Sequence, residues 1–346
     1  MKTVESVTEG HPDKICDQIA DAILDAYLVR DPASRVAVEV FGSHGALMIG
    51  GEISSTAEVD PSAIAQNVYK DIGYTDSIEI FTNIEEQSPD IARGVDTGGA
   101  GDQGIMYGYA TIETPEFLPL PVVLANRLAR SLADLRHNNP QFSWLRPDGK
   151  TQVTVDNKGK VLAVVVSAQH REDMAASEVQ RLLLAHLIEP AMGDLSLAHI
   201  HINPTGKFVQ GGFAADTGLT GRKLMVDTYG GLIPHGGGAF SGKDPTKVDR
   251  SAAYMARYAA KNIVANGHAK SCMVSVAYAI GREDPLMLEA RSGDGKDLTA
   301  YLKAHFDFRP AAILERLHLR RPMYRRTATY GHFGRDEFPW EMIVLE

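Results

Sequence analysis

Apolar residues follow two different spacings along this chain, and the order of those spacings predicts one structural unit three times. Residues 12–29 place isoleucines at helical spacing, behind a proline suited to a first helical turn. Residues 35–54 hold two strand-like runs around a glycine turn, and residues 61–72 return to helical spacing. The first unit is therefore helix, hairpin, helix, which can bury one face of a small sheet under its helices.

The same order of spacings recurs twice downstream. Its helix, hairpin and second helix are predicted at 119–136, 151–168 and 175–189 in the second copy and at 249–266, 271–291 and 297–306 in the third. We predict an α+β protein of three similar domains, each a sheet with helices on one face. The predicted boundaries, with allowance for segments exchanged between domains, are 1–90, 98–212 and 214–346.

Two long segments between the copies, about 80–118 and 192–248, are rich in Gly, Pro and Asp and carry few helix or strand signals. Connections of that length in a compact protein are usually functional or disordered. We therefore expect these segments to hold most of the residues that carry chemistry.

Length and composition limit the classes of protein that fit. A chain of 346 residues suits two or three domains. Two cysteines exclude a disulfide framework, no run approaches the roughly 20 apolar residues of a membrane span, and the first residues carry no apolar leader segment. We expect a cytoplasmic protein without membrane contact. Its net charge of -9 argues against nucleic-acid binding.

The segment HGGGAFSGKDPTKVDR at 235–250 combines three consecutive glycines with two lysines four residues apart. Glycines let a backbone approach an anion closely, and Lys243 and Lys247 can reach charged oxygens from one face if a helix begins nearby. Residues 237–243 fit most of the Walker A pattern, but Asp244 stands where that pattern requires Ser or Thr. The segment predicts a polyphosphate site that is not a P-loop. The alternative is a glycine-rich surface loop with solvated charges.

Cations gather around glycines in the C-terminal part of this acidic chain, and carboxylates are interleaved with them. The cations are Lys207, Arg222, Lys223, Lys243, Lys247 and Arg250, and the carboxylates are Asp216, Asp244 and Asp249. Carboxylates beside phosphate-binding lysines usually mean a divalent metal. A site for a Mg²⁺ polyphosphate follows.

A second cluster, GHPDK at 10–14, stands at the mouth of the first predicted helix, where free N–H groups attract anions. Asp13 either holds Mg²⁺ or complements the helix dipole, and the second use is the commoner one. Asp17, Asp21 and Asp25 continue the same line at i, i+4 spacing. We interpret these three as a solvated helix face and assign no metal to them.

Residues 98–104, GGAGDQG, contain a GxGxxG pattern, but the strand signal follows the pattern and does not precede it. A dinucleotide fingerprint requires the opposite order. We expect the glycines instead to bring Asp102 close to a ligand, where its carboxylate can accept hydrogen bonds from ribose hydroxyls or hold a cation. The polar stretch 87–95 before them is either a lid or a plain surface loop. The cluster RPDGK at 146–150, taken alone, favours a turn with an exposed charge pair.

Three long motifs stand in order along the chain: ESVTEGHPDK at 5–14, GAGDQGIMYGYA at 99–110 and GGGAFSGKDPTKVDRSAAY at 236–254. Shorter ones, RPDGKTQV, PTGKFVQGG, GLTGRK and GHFGRDEFPWE, lie between and after them. Together they resemble the S-adenosylmethionine synthetase family, also called methionine adenosyltransferase, from about Glu5 to Trp340. The resemblance implies three domains related by pseudo-threefold symmetry, which agrees with the repeat.

The resemblance also implies the reaction. The methionine sulfur attacks C5′ of ATP and expels the triphosphate, which the same site cleaves to pyrophosphate and phosphate. Two Mg²⁺ ions per site and K⁺ are the implied cofactors. The sites lie between the subunits of a homodimer, usually within a tetramer. Two alternatives stay open: a Mg²⁺-dependent tripolyphosphatase or phosphotransferase that ignores methionine, and an ATP-sensing subunit without turnover.

The family pattern also assigns expected roles to individual residues. His11 lies near the leaving oxygen; Asp13 and Asp249 bind Mg²⁺; Glu39 binds K⁺; Lys150, Arg222, Lys223, Lys243 and Lys247 hold phosphates; Glu52, Gln87, Asp216 and Lys247 contact methionine; Asp102, Asp148 and Phe208 surround adenosine; and Asp216 also binds ATP. Those expected to act in catalysis are His11, Lys150, Arg222, Lys243 and Lys247.

Overall fold

The computed structural model describes residues 1–86, 99–193, 195, 196 and 198–345. Its strands are β1 (Lys2–Val7), β2 (Arg35–Ser43), β3 (Ala46–Ser54), β4 (Glu79–Glu85), β5 (Gly104–Thr111), β6 (Leu145–Val155), β7 (Val161–His170), β8 (His199–Ile202), β9 (Gly218–Leu219), β10 (Ser271–Tyr278) and β11 (Met287–Ser292). Its helices are α1 (Pro12–Arg30), α2 (Pro61–Ile72), α3 (Leu120–Asn138), α4 (Ala176–Leu183), α5 (Glu189–Met192), α6 (Leu224–Asp227), α7 (Val248–Ala265), α8 (Thr299–His305) and α9 (Pro310–Arg316).

The predicted repeat of helix, hairpin and helix is confirmed. The three copies are α1, β2, β3 and α2, then α3, β6, β7 and α4, then α7, β10, β11 and α8. In each copy the two strands pair antiparallel. The fold is α+β, as predicted, because each hairpin belongs to a sheet that the helices cover.

Strands outside the repeated units complete the sheets and cross between parts of the chain. The strand orders are β1-β6-β7-β8, β11-β10-β5 and β4-β3-β2-β9. The N-terminal strand β1 therefore belongs to the central sheet, and β5, which follows the GxGxxG pattern, belongs to the C-terminal sheet. Sheets and sequence blocks divide the chain differently, so the three domain boundaries stay a prediction.

The packing between elements is close enough in places to require glycine. A Cβ at Gly108 of β5 would lie 2.0 Å from the backbone of Ala256 in α7, so only glycine allows this strand to meet this helix. Buried side chains of all three units, such as Ile19, Leu128 and Val274, belong to one continuous core. Within the described ranges, no helix is both long and apolar enough to cross a bilayer.

One face of α1 carries Asp13, Asp17, Asp21 and Asp25, which we call the acidic ladder. The prediction that the last three form a solvated face is wrong, since Asp17 and Asp21 are fully buried. Besides Lys14 for Asp17, their partners are distant in sequence: the N–H of Gly221 for Asp17, the N–H of Gly242 and the guanidinium of Arg250 for Asp21, and the N–H groups of residues 323–325 for Asp25. Spacing alone could not indicate this burial, because these distant partners lie 204 to 300 residues away.

Candidate active site

The site forms where the first strand of the central sheet leads into α1. Val7 is opposite Lys150 in the β1–β6 pairing. The next residue, Thr8, donates its N–H to the Gly149 carbonyl at 3.0 Å and its hydroxyl to the Pro147 carbonyl at 2.6 Å. A Cβ at Gly10 would lie 2.3 Å from the Pro147 side chain, so glycine is needed for this approach. The chain therefore brings the GHPDK and RPDGK clusters side by side.

His11 is the N-cap residue of α1, and its Nδ1 accepts the Asp13 N–H at 3.2 Å. Because Nδ1 accepts a hydrogen bond, the proton of the neutral ring lies on Nε2. The side chain is only 3% exposed. Burial, reinforced by the positive charge of Lys223, lowers the pKa of His11 to about 3. At neutral pH this residue is therefore an uncharged hydrogen-bond donor.

Asp13 holds the loop that carries two predicted phosphate ligands. Its carboxylate accepts the Leu219 N–H at 3.0 Å and the Lys223 ammonium at 2.5 Å, and Arg222 Nε lies 3.4 Å away. Burial has the largest single effect and acts to raise the pKa of Asp13, but the hydrogen bonds from Lys223 and the Leu219 N–H, together with the positive charge of Lys223, outweigh it. The net pKa therefore lies below the ordinary 3.8. Asp13 is thus a carboxylate among cations at a helix N-terminus.

The loop is also fixed by its glycines. A Cβ at Gly218 would lie 2.2 Å from the Pro12 carbonyl oxygen. Gly221 has a φ of +80°, a left-handed conformation that favours glycine, and its N–H binds Asp17 at 2.8 Å. Arg222 and Lys223 follow directly after this anchored turn.

A second cluster lies at the start of α7. Lys243 Nζ is 2.7 Å from Asp249 Oδ2. A Cβ at Gly238 would lie 2.2 Å from Asp249 Oδ1, and one at Gly104 would lie 3.4 Å from it. Both glycine-rich motifs therefore meet at this carboxylate and leave the space in front of one oxygen open.

The donor set fits Mg²⁺, which is commonly held by one or two carboxylates together with substrate phosphates and water. Asp13 and Asp249 each face an ammonium group and so already lie in cation-binding surroundings. Among the described residues no three His, Cys, Asp or Glu side chains converge, so a metal would draw its remaining ligands from substrate or water.

Three members of the predicted charge cluster have other roles. Arg250 is fully buried and pairs with Asp21, with Nη1 2.6 Å from Oδ1. Asp244 is fully buried as well: it accepts the Val36 N–H at 2.7 Å and the Lys247 ammonium at 2.5 Å. These residues hold the site and do not face a ligand. Lys207 lies on the surface, 66% exposed.

Lys14 is also turned away from the site. Its fully buried ammonium lies 2.9 Å from Asp17 Oδ2 and contacts Asp227. Burial acts to lower its pKa, but these carboxylates raise it above the ordinary value, so Lys14 stays charged in the interior. Sequence reasoning missed Asp227 and Asp244 as site supports, because each meets partners that no local motif indicates.

The RPDGK cluster is not a turn, because β6 begins at Leu145 and includes it. Asp148 is 6% exposed, and its Oδ2 accepts the Gly212 N–H at 2.9 Å. Burial raises the pKa of Asp148 to about 6. Lys150, in contrast, is exposed. Asp148 and Lys150 thus lie two residues apart, beside the His11 loop, with very different surroundings.

The other predicted adenosine contacts lie on separate loops. Phe208 is half-buried and pairs with the end of β7. Asp102 and Asp216 are exposed, and among the bonds described the carboxylate of each accepts only the N–H of the next residue. Gln87 and the polar stretch 87–95 lie outside the described residues.

A cavity of 430 Å³ opens on the β2–β3 sheet and is lined by Glu39, Glu52 and Lys243 among others. Leu219, whose N–H binds Asp13, lines it too. The cavity therefore places the two acidic residues of the sheet beside Lys243 and beside the loop that Asp13 holds.

Beside this cavity the sheet presents a row of large apolar side chains. Phe41 is opposite Met48, and Met48 is opposite Phe81, on adjacent strands. These side chains are 45%, 49% and 47% exposed. Large apolar side chains grouped on a surface mark interaction sites.

Comparisons with known proteins agree along the whole chain. Three family models match: "S-adenosylmethionine synthetase, N-terminal domain" at residues 1–89, "central domain" at 97–208 and "C-terminal domain" at 210–342. The S-adenosylmethionine synthase of Sorangium cellulosum is 52% identical, over 98% of this chain and 86% of that protein. Those of Petrotoga mobilis and Desulforudis audaxviator are 49% and 52% identical, each over 99% of this chain and at least 95% of the relative.

Proposed function

The chain belongs to the S-adenosylmethionine synthetase family and makes S-adenosylmethionine from ATP and L-methionine, and from this premise we propose which residues carry the reaction. In the proposed step the methionine sulfur forms a bond to C5′ as the bond from C5′ to the triphosphate oxygen breaks. Water then cleaves the triphosphate to pyrophosphate and phosphate. The observation that carries this proposal is the meeting of His11, Asp13, Arg222 and Lys223 at one helix N-terminus.

His11 is proposed to donate from Nε2 to the triphosphate oxygen that leaves C5′. Its lowered pKa supports this role, because an uncharged ring with a fixed tautomer offers a hydrogen bond without needing a counterion. A displacement of this kind requires alignment of sulfur and carbon and neutralisation of growing negative charge. It needs no nucleophilic side chain of the protein.

We propose that the phosphates lie between Lys150, Arg222 and Lys223 on one side and Lys243 and Lys247 on the other. The ion pairs of Lys223 and Lys243 with Asp13 and Asp249 support this, since each pair joins a predicted phosphate ligand to a predicted metal ligand. Bound Mg²⁺ would neutralise phosphate charge and so favour departure of the triphosphate.

The remaining residue assignments are also proposals, and they follow the family pattern. Glu39 is proposed to hold K⁺, and Glu52 and Gln87 are proposed to contact methionine. Asp216 is proposed to contact both substrates. Lys247 is proposed to contact methionine in addition to phosphate. The cavity that Glu39, Glu52 and Lys243 line together supports the assignments of Glu39 and Glu52, because a K⁺ ion or a substrate there would lie beside Lys243. Asp102, Asp148 and Phe208 are proposed to surround adenosine. The cytoplasm is the proposed location.

A homodimer, and a tetramer of two dimers, is the proposed assembly. The exposed row of Phe41, Met48 and Phe81 beside the cavity supports a partner subunit at this face. Phe41→Asp should give a monomer in analytical ultracentrifugation and abolish turnover. Ile280→Asp, at a side chain 60% exposed on the C-terminal part of the chain, is the matched control and should leave both unchanged. A dimeric Phe41→Asp variant would contradict this interface.

Mass spectrometry of a reaction with ATP, L-methionine, Mg²⁺ and K⁺ tests the function directly. We expect S-adenosylmethionine, pyrophosphate and phosphate to appear together. Lys243→Ala should cut turnover by about 100-fold or more while the circular dichroism spectrum stays unchanged, because a preorganised phosphate contact is lost. The surface variant Lys303→Ala is the control. Wild-type turnover in Lys243→Ala would refute the phosphate assignment.

A further inference from the structure

His170, the last residue of β7, holds the backbone of Phe208 on both sides. The Phe208 N–H donates to His170 Nε2 at 3.2 Å, and the His170 N–H donates to the Phe208 carbonyl at 2.9 Å. Nδ1 lies 2.8 Å from the Arg171 carbonyl oxygen, which can only accept, so Nδ1 carries the proton. The side chain is fully buried. Its tautomer is thus fixed with Nε2 as the acceptor for Phe208.

The preceding residue, Gln169, connects to the other side of the same region. Its Oε1 accepts the Asp148 N–H at 3.2 Å, and its Nε2 donates to the Val209 carbonyl at 3.0 Å. A Cβ at Gly211 would lie 2.6 Å from the Gln169 side-chain carbonyl carbon, so this glycine leaves room for the amide. The end of β7 therefore joins two predicted adenosine contacts, Asp148 and Phe208, through consecutive side chains.

We propose that His170 is a positioning residue for the nucleoside part of ATP and acts through Phe208. The inference rests on the proposed contact of Phe208 with adenosine. The two side-chain contacts described for His170 are both to backbone groups and fix its tautomer. Its effect is therefore on the geometry of the adenosine contact. The phosphates are assigned to Lys223 and Lys243, to which His170 has no described bond.

Cleavage of inorganic tripolyphosphate separates these two parts of the site, because that substrate has no nucleoside. His170→Asn and His170→Gln place the same amide at two distances from the backbone: glutamine reaches the position of Nε2, and asparagine does not. We expect His170→Asn to raise KM for ATP by about fivefold, the size of one lost hydrogen bond. Its KM for methionine and its tripolyphosphatase rate should stay at wild-type values. His170→Gln should restore KM for ATP to within about twofold of wild type.

Ser34→Ala is the control for stability alone, since it removes a buried hydroxyl that donates to the Asp31 carbonyl near the far end of α1. It should lower Tm without changing KM. His170→Leu, which fills the buried volume, repeats the test should the asparagine variant unfold. Equal losses of S-adenosylmethionine synthesis and of tripolyphosphate cleavage would overturn the positioning role. An unchanged KM for ATP in a folded variant that lacks the acceptor at the position of His170 Nε2 would overturn it as well. Absence of S-adenosylmethionine with the wild-type protein would instead overturn the proposed reaction.

Discussion

Replacing Asp148 by Asn should stabilise the protein at neutral pH. In the unfolded chain this carboxyl ionises near 3.8, whereas burial raises its pKa to about 6 in the folded protein. Between these values the folded state binds a proton that the unfolded state has lost, so stability falls as pH rises through this window. Above pH 6 the whole cost, about 3 kcal/mol, is present. Asparagine avoids this cost and keeps an oxygen to accept the Gly212 N–H.

Thermal melts at two pH values check this reasoning. At pH 7.5 the Asp148→Asn variant should melt about 4 °C above wild type, and at pH 5.0 the gain should fall to about half. Asp156→Asn is the control, because hydrogen bonds, first from the Lys160 N–H and then from that of Lys158, hold the pKa of Asp156 below its ordinary value; it should give no gain. A variant less stable than wild type at pH 7.5, or a gain equal at both pH values, would refute the buried-charge argument. The same variant should raise KM for ATP by about tenfold if Asp148 contacts adenosine.

Three further predictions concern the buried pair and the metal. Asp21→Ala should lower the free energy of unfolding by about 3–5 kcal/mol in urea titrations, because the charge of Arg250 stays buried without its carboxylate partner. The control is Asp60→Ala, which removes a helix cap and should cost roughly 1 kcal/mol. A loss for Asp21→Ala no larger than that of the control would contradict the prediction. Gly238→Ala should raise the Mg²⁺ concentration for half-maximal turnover by about tenfold, since the new Cβ would displace Asp249 by contact with Oδ1; an unchanged Mg²⁺ requirement would exclude that effect. Chelation of divalent metal should stop S-adenosylmethionine formation, and added Mg²⁺ should restore it; turnover in excess chelator would argue against metal dependence.

Local sequence patterns were sufficient to predict the repeated units and the two main cation clusters. The hairpins were visible because alternation of apolar residues is a property of neighbouring positions. Lys243 and Asp249 were visible for a similar reason, since both stand in one glycine-rich motif and meet at 2.7 Å. Glu39 and Phe208 had no such signal, because a single side chain on a strand or loop carries no pattern. Their roles came from the family resemblance and stay predictions.

The errors share one physical origin. Asp21, Asp244 and Arg250 were interpreted as part of a solvated face or a ligand site, yet all three are fully buried. A charged residue at a given spacing looks the same in sequence whether water or a distant partner neutralises it. Its partner's position depends on the completed fold, and burial of a charge is tolerated only once that partner is in place.

The acidic ladder makes the N-terminal helix dependent on residues that are synthesised much later. Gly221 binds Asp17 across 204 residues, and Arg325 binds Asp25 across 300. At the usual 5–20 residues per second of translation, the last of these contacts becomes available about 15 to 60 s after α1 has been made. Contacts of such high sequence separation slow folding. The N-terminal unit therefore cannot reach its native packing on the ribosome alone, and the chain should fold as a whole after its C-terminal segments emerge.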